Sequence, residues 1–326
     1  MEARAYWTVA PRRGELRREE LPTPGPDDVV VRSLASGVSR GTELLVHRHA
    51  VPESIATLMR APYQVGDLPG PVKYGYLSVG IVESGPSGLV GRRVFCLHPH
   101  QDRYVVPASA VTPIPDDVPS ERAVLTGTVE TAVNAVWDAA PRLGDRVAVV
   151  GAGMVGLAVA ALLRRFPLQR LEVVDVDPAR SAAATALGAR LVAPDAAAGD
   201  ADIVVHCSAS EAGLSTALGL LGTEGELLEL SWYGTAAPRV PLGLDFHARR
   251  LTIRASQVGR ISPSRAARRS YGDRLALALD LLRDPAFDVL AAPAVHFTDL
   301  PLVLADLDRG RGTPFCQVIS YDPEES

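Results

Sequence analysis

Three glycines and one aspartate have the residue types and spacing that could serve chemistry. Gly151, Gly153 and Gly156 follow a β-branched run at 147–150 and precede a stretch rich in Ala and Leu. A strand, a glycine turn and a helix in that order aim a helix N-terminus at an anion, and small glycines let a pyrophosphate approach the backbone. Asp175 ends the next apolar run, at about the spacing where an acid would bind a ribose. The pattern therefore predicts a dinucleotide-binding Rossmann turn.

The aspartate also bears on which dinucleotide would bind. A carboxylate at Asp175 can accept hydrogen bonds from both ribose hydroxyls of NAD, whereas it would repel a 2′-phosphate. The nearest cation along the chain, Arg180, lies further on, in a segment at 178–188 that is predicted to be helical. We therefore expect NAD(H) to be favoured, with NADP(H) as the other candidate.

The composition is that of an ordinary globular protein. The 326 residues are 47% hydrophobic and 22% charged, with a net charge of −5, which does not indicate a nucleic-acid partner. The first residues have no apolar leader core, and no apolar run approaches the ~20 residues of a membrane span, so we expect a cytoplasmic protein. Three cysteines lie far apart, which argues against a disulfide framework.

Short strands separated by Gly and Pro turns are predicted over roughly the first 115 residues, a spacing typical of a small antiparallel barrel or sandwich. A helical segment is also predicted there, at 43–60, although it contains Pro52. A second helical segment is predicted just after this region, at 120–140. The predicted strands are residues 4–9, 28–36, 77–84, 91–97 and 103–106.

Beyond Asp175, helices and strands alternate, which predicts a parallel α/β sheet because parallel strands need crossover helices. An amphipathic helix is predicted at 265–282. The last predicted strands, 294–297 and 315–321, have no βαβ partner and are expected to return to the first domain. The alternating segments are strands 189–192, 202–207, 225–230 and 251–255 and helices 178–188 and 211–221.

Five segments in a fixed order carry a family resemblance. They are G-P-D-D-V-V-V-R (25–32), S-G-V-S-R-G-T-E (36–43), Y-G-Y-L-S-V-G-I-V-E-S-G (74–85), G-D-R-V-A-V-V-G-A-G-M-V-G (144–156) and D-A-D-I-V-V-H (200–206). Together they resemble the medium-chain dehydrogenase/reductase superfamily, the family of the zinc alcohol dehydrogenases and quinone reductases. A weaker similarity points to its bacteriochlorophyllide-oxidising branch.

The resemblance implies an α/β protein with two domains. A GroES-like β-barrel catalytic domain would span residues 1–128, and a Rossmann doubly wound parallel sheet that binds the dinucleotide would span 129–262. Residues 263–326 would return to the catalytic domain. An oxidoreductase with a small-molecule substrate is implied, and we expect it to form a homodimer.

The positions that hold catalytic zinc in the superfamily's zinc members carry other residues here. By motif they match Ser39, Tyr76 and Gly127, which are poor ligands or none. The four-cysteine structural zinc lobe is missing as well. The resemblance therefore implies a zinc-independent member.

Without zinc, a hydrogen-bond donor must stabilise the developing oxyanion and handle a proton. The resemblance places Tyr76 and Ser39 toward the reacting oxygen. Tyr76 is the first choice for this donor, and a core tyrosine of the barrel is the alternative. Glu43, one turn further on, could relay a proton or form an ion pair with Arg40 or Arg60.

His100 and Glu130 complete the catalytic candidates. His100 is the neutral-pH base candidate near this pocket. Glu130 lies near the superfamily's nicotinamide contact, and its pKa should be raised if it is buried, whereas pairing with Arg122 is the alternative. His98, His100 and Glu130 could also build an unrelated metal site, but histidines in a His-Pro-His loop are more often hydrogen-bonded, and we expect no metal.

Other residues match the superfamily's cofactor contacts. Arg40 could reach the pyrophosphate or be a surface charge, and the loop after strand 225–230 could meet the nicotinamide or pack between domains. The predicted cofactor-binding set is Arg40, Thr131, Gly151, Gly153, Met154, Val155, Gly156, Asp175, Arg180, Ser208, Ser231 and Trp232.

Three functions are compatible with these features. The first is hydride transfer between NAD(H) and a secondary alcohol or ketone of a small, polyhydroxylated or biosynthetic substrate. The second is enone or quinone reduction on the same fold. The third is a non-catalytic dinucleotide sensor, because a fold alone does not fix an activity.

Overall fold

The computed structural model of the protein describes residues 1–321, which form two compact units. Residues up to Ala278 group with the second unit, and the domain boundaries predicted at 128 and 262 stay predictions. The assignment of catalytic and dinucleotide-binding roles to these units stays a prediction. The first unit comprises Met1–Gly127, Leu279–Arg283 and the chain from Leu290, and the second comprises Thr128–Ala278 and Asp284–Val289.

The first unit begins with short strands between Gly and Pro turns, as predicted. In chain order they are β1 (Glu2–Ala10), β2 (Arg13–Glu20), β3 (Asp28–Val38), β4 (Val65–Gly66), β5 (Val72–Lys73), β6 (Ser78–Ser84), β7 (Arg93–Cys96), β8 (Arg103–Pro107) and β9 (Val111–Pro113). The strand β2 has no apolar alternation that would predict it. It forms because it pairs antiparallel with β1 along most of its length.

The helices of this region are shorter than predicted. Helix α1 covers Arg40–His47, and only a 3₁₀ turn at Glu53–Ile55 follows it within the predicted segment 43–60. The φ of His49 is 55°, a conformation that ends a right-handed helix, and Pro52 lacks the amide hydrogen needed to continue one. The predicted helix at 120–140 is divided into α2 (Ser120–Ala123) and α3 (Thr126–Ala139).

The second unit is built on one six-stranded parallel sheet. Its strands are β10 (Arg146–Val150), β11 (Arg170–Val174), β12 (Arg190–Val192), β13 (Ala201–His206), β14 (Leu221–Glu229) and β15 (Thr252–Ala255). Their spatial order, β12-β11-β10-β13-β14-β15, is the 3-2-1-4-5-6 order of the Rossmann fold. Aliphatic residues of the strands are buried in its core, including Val147, Val204 and Leu227.

Helices α4 (Met154–Leu163), α5 (Ser181–Ala186) and α6 (Glu211–Leu220) connect these strands, and α7 covers Tyr271–Leu281. Helix α7 begins six residues later than the predicted 265. Ser270 causes this start, because its hydroxyl accepts the Asp273 amide (3.1 Å) while the Asp273 carboxylate accepts the Ser270 amide (2.8 Å). This reciprocal arrangement is a capping box.

The C-terminal segment of the first unit is a β-α-β unit. Strand β16 (Ala291–His296), helix α8 (Leu300–Asp308) and strand β17 (Cys316–Ser320) follow one another, and the two strands pair in parallel. The prediction that these strands have no βαβ partner was therefore wrong. Helix α8 is not obvious from the sequence because Pro301 resembles a breaker, but it lies in the first turn, where proline is tolerated.

Strand β17 also pairs antiparallel with β3, so the C-terminal segment returns to the first unit as predicted. The resulting sheet has the order β16-β17-β3-β6-β7-β9, with β8 also pairing with β3, and a second sheet has the order β2-β1-β5-β4. The predicted α/β class, GroES-like sheets with a parallel Rossmann sheet, is confirmed. Within residues 1–321, the helices are all too short or too polar to cross a membrane.

Candidate functional site

The turn after β10 has the close packing that its glycines predict. A Cβ on Gly151, whose φ is 107°, would lie 2.8 Å from the amide nitrogen of Ser208, and a Cβ on Gly156 would lie 1.9 Å from the carbonyl oxygen of Gly151. A Cβ on Gly153, in contrast, would meet no atom within 4 Å. Helix α4 begins directly after it without a side-chain cap. The turn therefore fits a pyrophosphate bound at the helix N-terminus.

Asp175, at the end of β11, is fixed against this turn. Its Oδ2 accepts the amide of Ala152 (2.6 Å) and its Oδ1 accepts the amide of Asp177 (2.9 Å). Arg180, the cation nearest along the chain, forms an ion pair with Asp177 at 3.0 Å. A carboxylate held in this way presents further lone pairs to donors such as hydroxyls.

The other predicted cofactor residues lie on several elements. Met154 and Val155 open helix α4, with Met154 buried and Val155 half-buried. Ser208, Ser231 and Trp232 follow the ends of β13 and β14 and are partly exposed, and the Ser231 hydroxyl accepts the amide of Ala209 at 3.1 Å. Thr131 lies in α3 of the second unit, whereas Arg40 begins α1 of the first unit.

A buried histidine–glutamate pair that the sequence analysis missed lies next to these serines. His206 is fully buried, and its Nδ1 lies 2.9 and 2.8 Å from the two carboxylate oxygens of Glu229. Its Nε2 lies 2.6 Å from the Ser208 hydroxyl. The available signal was that both strands end on an ionisable residue after an apolar run.

In the first unit, the three positions expected of zinc ligands lie close together. The Tyr76 hydroxyl donates a hydrogen bond to the Ser39 Oγ at 2.5 Å. A Cβ on Gly127 would lie 2.6 Å from Leu77 and 3.8 Å from the Tyr76 ring. A phenol, a hydroxyl and a residue without a side chain do not supply the nitrogen and sulfur ligands that zinc prefers. These residues therefore do not fit a catalytic zinc.

The Tyr76 phenol remains protonated at neutral pH. Burial raises the pKa of Tyr76 to about 12, although the hydrogen bond to Ser39 acts in the opposite direction. Because Tyr76 donates its hydroxyl proton to Ser39, the Ser39 hydroxyl can donate its own proton to another acceptor. Within this pair, Ser39 is the group whose hydroxyl proton is not used.

A second chain of polar groups runs from Glu43 through the buried sheet. The Glu43 Oε1 accepts the Ser39 amide (2.7 Å), and its Oε2 lies 2.9 Å from the His100 Nε2. The His100 Nδ1 lies 2.7 Å from the Ser36 hydroxyl, which lies 2.9 Å from the Tyr321 hydroxyl. Glu43 and His100 were predicted site residues, whereas Ser36 and Tyr321 were missed.

The alternative partners proposed for Glu43 and Glu130 need correction. Arg60 bonds to Asp67 and to backbone carbonyls rather than to Glu43. Glu130 pairs with the fully buried Arg274 at 3.0 Å, and not with Arg122. Burial raises the pKa of Glu130, and Arg274 opposes this shift.

The contacts of His98 are those of a buried, hydrogen-bonded side chain rather than of a metal ligand. Its ring stacks on Tyr104 with centroids 3.8 Å apart, and its Nδ1 lies 2.9 Å from the carbonyl oxygen of Pro99. Burial lowers the pKa of His98 to about 3, so the ring is neutral. Among residues 1–321, His98, His100 and Glu130 do not form a three-ligand group.

The mixed sheet and the antiparallel sheet of the first unit, with the parallel sheet and the glycine turn of the second, have the medium-chain dehydrogenase/reductase fold. L-idonate 5-dehydrogenase from Escherichia coli K-12 superposes with a TM-score of 0.79 at 14% identity, covering 98% of this chain and 99% of that one. 2R,3R-butanediol dehydrogenase from Bacillus subtilis gives 0.76 at 18% identity, with 98% and 100% covered. An alcohol dehydrogenase from Escherichia coli CFT073 complexed with NADH gives 0.73 at 16%, with 98% and 99% covered. At these identities the similarity establishes the fold.

Sequence comparison finds more limited matches. L-threonine 3-dehydrogenase from Ruegeria pomeroyi is 25% identical over 232 residues, which cover 64% of this chain and 67% of the relative. The enzyme of that name from Xanthomonas campestris is 26% identical over 202 residues, with 54% and 58% covered. The matched segments thus cover little more than half of some relatives and as little as 24% of another. No family model matches the chain.

Proposed function

We propose that the chain is a zinc-independent, NAD(H)-linked oxidoreductase of the medium-chain dehydrogenase/reductase superfamily. It would transfer a hydride between nicotinamide and a secondary alcohol or ketone of a small substrate. The observation that carries this proposal is the Ser39–Tyr76 hydroxyl pair, which occupies the positions expected of zinc ligands. The bound dinucleotide supplies the hydride chemistry. The chain's own residues bind the dinucleotide, orient the substrate oxygen and move the proton.

The Ser39 hydroxyl is the proposed donor to the substrate oxygen. Its oxygen accepts from Tyr76, so its own proton points to a further acceptor. As negative charge develops on the substrate oxygen, the Tyr76 proton stabilises the Ser39 oxygen in turn. One preorganised donor in a water-poor site typically changes a rate by about 10²–10³. This proposal moves the first role from Tyr76 to Ser39.

The chain Glu43–His100–Ser36–Tyr321 supports this pair. The Glu43 carboxylate accepts a hydrogen bond from the Ser39 backbone amide and so holds Ser39 in place. His100 bonds to the other oxygen of this carboxylate. Neighbouring groups in this network lie between 2.7 and 2.9 Å apart, and the network reaches Ser39 through the Ser39 backbone amide, so it is proposed to hold Ser39 in place rather than to pass a proton to its hydroxyl. Glu130, because it is held by the buried Arg274, is proposed to stabilise the second unit rather than to act on substrate.

The second unit supplies the proposed dinucleotide contacts. The pyrophosphate would lie at Gly153 and the start of α4, and Asp175 would accept ribose hydroxyls. This carboxylate is the reason to favour NAD(H) over NADP(H). The remaining proposed contacts are Arg40, Thr131, Met154, Val155, Ser208, Ser231 and Trp232, as the superfamily resemblance implies.

The substrate class follows from the hydroxyl-rich site. The matched proteins are named as dehydrogenases of L-threonine, L-idonate and butanediol, which are hydroxylated small molecules. A comparable substrate is proposed for this chain. Reduction of an enone or quinone is the second candidate, since the same absence of zinc ligands at Ser39, Tyr76 and Gly127 favours a zinc-free reaction. A homodimer and a cytoplasmic location stay predictions.

The experiment that tests this function follows nicotinamide absorbance with panels of secondary alcohols, ketones, enones and quinones. Turnover of an alcohol or ketone with NAD(H) is the expected result. Turnover confined to enones or quinones would select the second candidate. Tight NADH binding without turnover on any panel would contradict catalysis and favour a dinucleotide sensor.

A further inference from the structure

The buried pair His206 and Glu229 has no role in the function proposed above. These residues are register partners at the ends of the neighbouring parallel strands β13 and β14. His206 is 0% exposed, and a buried imidazole facing a carboxylate is a costly arrangement unless its hydrogen bonds are satisfied. Both of its nitrogens have partners, namely Glu229 and the Ser208 hydroxyl.

Glu229 is held by groups besides His206. Its Oε1 accepts the amide of Ser231 at 2.7 Å, and its Oε2 accepts the Tyr233 hydroxyl at 3.3 Å. The carboxylate therefore has little freedom to turn away from the imidazole. This fixes which nitrogen of His206 carries hydrogen.

The hydrogen-bond inventory sets the direction of the Ser208 hydroxyl. A carboxylate only accepts, so the His206 Nδ1 must donate to Glu229, and in the neutral imidazole Nε2 is then an acceptor. Ser208 consequently donates its single proton to His206 Nε2. The nearby Ser210 hydroxyl, 3.0 Å away, must donate to Ser208. The Ser208 oxygen keeps one lone pair that no side chain of this cluster uses.

The backbone of Ser208 lies beside the glycine turn. The Ser208 backbone packs against Gly151, while the Asp175 carboxylate bonds to the next residue, Ala152. Asp175, which follows β11, and Ser208, which follows β13, thus both lie next to residues of this turn. An oxygen that accepts hydrogen bonds attracts a donor such as a ribose hydroxyl.

We propose that His206 and Glu229 are positioning residues that fix Ser208 as a hydrogen-bond acceptor for a ribose hydroxyl of the bound dinucleotide. This inference rests on the proposed dinucleotide binding. It assigns a role to two residues that do not touch the cofactor themselves. They act by determining where the Ser208 proton points.

The Glu229→Ala and Glu229→Gln variants test this direction. Glu229→Ala removes both oxygens that accept from His206 Nδ1, so the imidazole hydrogen can move to Nε2 and donate to Ser208, whose own proton then turns outward. In Glu229→Gln the side-chain oxygen takes the Oε1 position, because the Ser231 amide needs an acceptor there, and this position also lies 2.9 Å from His206 Nδ1. Glu229→Gln should therefore keep the Ser208 acceptor that Glu229→Ala loses.

The measurement is NADH affinity by calorimetry at about pH 8, above the ordinary range of an imidazole. Ser208→Ala and Glu229→Ala should each weaken binding about threefold to tenfold, the equivalent of one neutral hydrogen bond, whereas Glu229→Gln should bind NADH like the wild type. The double variant should bind no more weakly than Ser208→Ala alone. NADH analogues that each lack one ribose hydroxyl should identify one hydroxyl whose removal weakens the wild type but not Ser208→Ala.

Thr216→Ala is the matched control, because its hydroxyl bonds only to a carbonyl within α6. It should bind NADH like the wild type. Additive losses in the double variant, or wild-type affinity in Ser208→Ala, would overturn the positioning role while leaving dinucleotide binding intact. If Glu229→Ala fails to fold, the analogue series with Ser208→Ala still decides the question. Absence of NADH binding in the wild type would overturn the proposed function together with this inference.

Discussion

Two regions of the molecule contain the same sequence of chemical groups, a carboxylate, a buried imidazole and a serine hydroxyl. In the first unit these are Glu43, His100 and Ser36, and in the second they are Glu229, His206 and Ser208. The imidazoles are oriented oppositely, since Nε2 faces the carboxylate in the first and Nδ1 faces it in the second. Identical residue types therefore do not imply identical roles.

The two hydrogen-bonded networks differ in the groups at which they end. Glu43 continues to the Ser39 amide, so its chain supports a hydroxyl pair that can act on a substrate. Glu229 continues to the Ser231 amide, and its chain ends on Ser208 beside the glycine turn. The first arrangement is suited to holding a hydroxyl pair that acts on a substrate and the second to holding a ligand, so damage to each should affect different measurements.

The largest expected effect concerns a third buried carboxylate, Glu130, which has an arginine rather than an imidazole as its partner. Glu130→Ala leaves the fully buried Arg274 without its counter-charge, which should lower the free energy of unfolding by about 3–5 kcal/mol. Denaturant unfolding measures this loss. Glu211→Ala, which removes a surface ion pair to Arg239, is the control and should change little. Equal stability of the two variants would contradict a structural role for Glu130.

The next effect separates catalysis from binding in the first unit. Ser39→Ala should lower kcat by about 10²–10³ while NADH affinity stays near that of the wild type, because the lost donor acts on the substrate oxygen. Tyr76→Phe should cause a smaller loss, since Ser39 remains. Steady-state kinetics and calorimetry give both values, and the exposed Ser87→Ala is the control. A more severe loss in Tyr76→Phe than in Ser39→Ala would return the first role to Tyr76.

A smaller effect is expected at Asp175 of the second unit. Asp175→Ser should shift the ratio of NADH to NADPH affinities about tenfold or more toward NADPH, because a charged acceptor of ribose hydroxyls is removed. The exposed Asp195→Ser controls for the change in net charge. Tighter binding of NADPH than NADH by the wild type would show that Asp175 does not face the ribose.

The last prediction is that activity does not fall at the pH where an ordinary tyrosine would lose its proton. Burial raises the pKa of Tyr76 to about 12, so its protonated, donating form should persist well above the roughly 10 of an ordinary tyrosine. Deprotonation of Tyr76 would remove the hydrogen bond to Ser39, and activity should therefore be lost only as the pH approaches 12. A pH profile of kcat should show no tyrosine-dependent fall near pH 10. A fall there that Tyr76→Phe abolishes would contradict this account.

Much of the fold was accessible from the sequence because its signals are local. The β-branched run before Gly151, the helix formers after Gly156 and the acid at Asp175 predict the Rossmann turn from residues adjacent in the chain. The charged strand β2 and helix α8 were missed because pairing and packing, rather than periodicity, stabilise them. The approach of Ser39 to Tyr76 was implied by family resemblance and not by spacing.

The side-chain networks were less accessible. Tyr321 bonds to Ser36 across 285 positions of the chain, and Arg274 reaches Glu130 across 144. No local pattern encodes such contacts, since they depend on how the sheets pack. The pairing of Glu229 with His206 requires the register of two parallel strands, which the sequence leaves open.

The central claim is that hydroxyl groups, and not zinc, serve the reacting oxygen. The most direct test measures zinc content and turnover on one sample purified without added metal and then treated with a strong chelator. The account predicts far less than one zinc per chain and unchanged turnover. Stoichiometric zinc, with activity lost on its removal and restored by its return, would contradict the account.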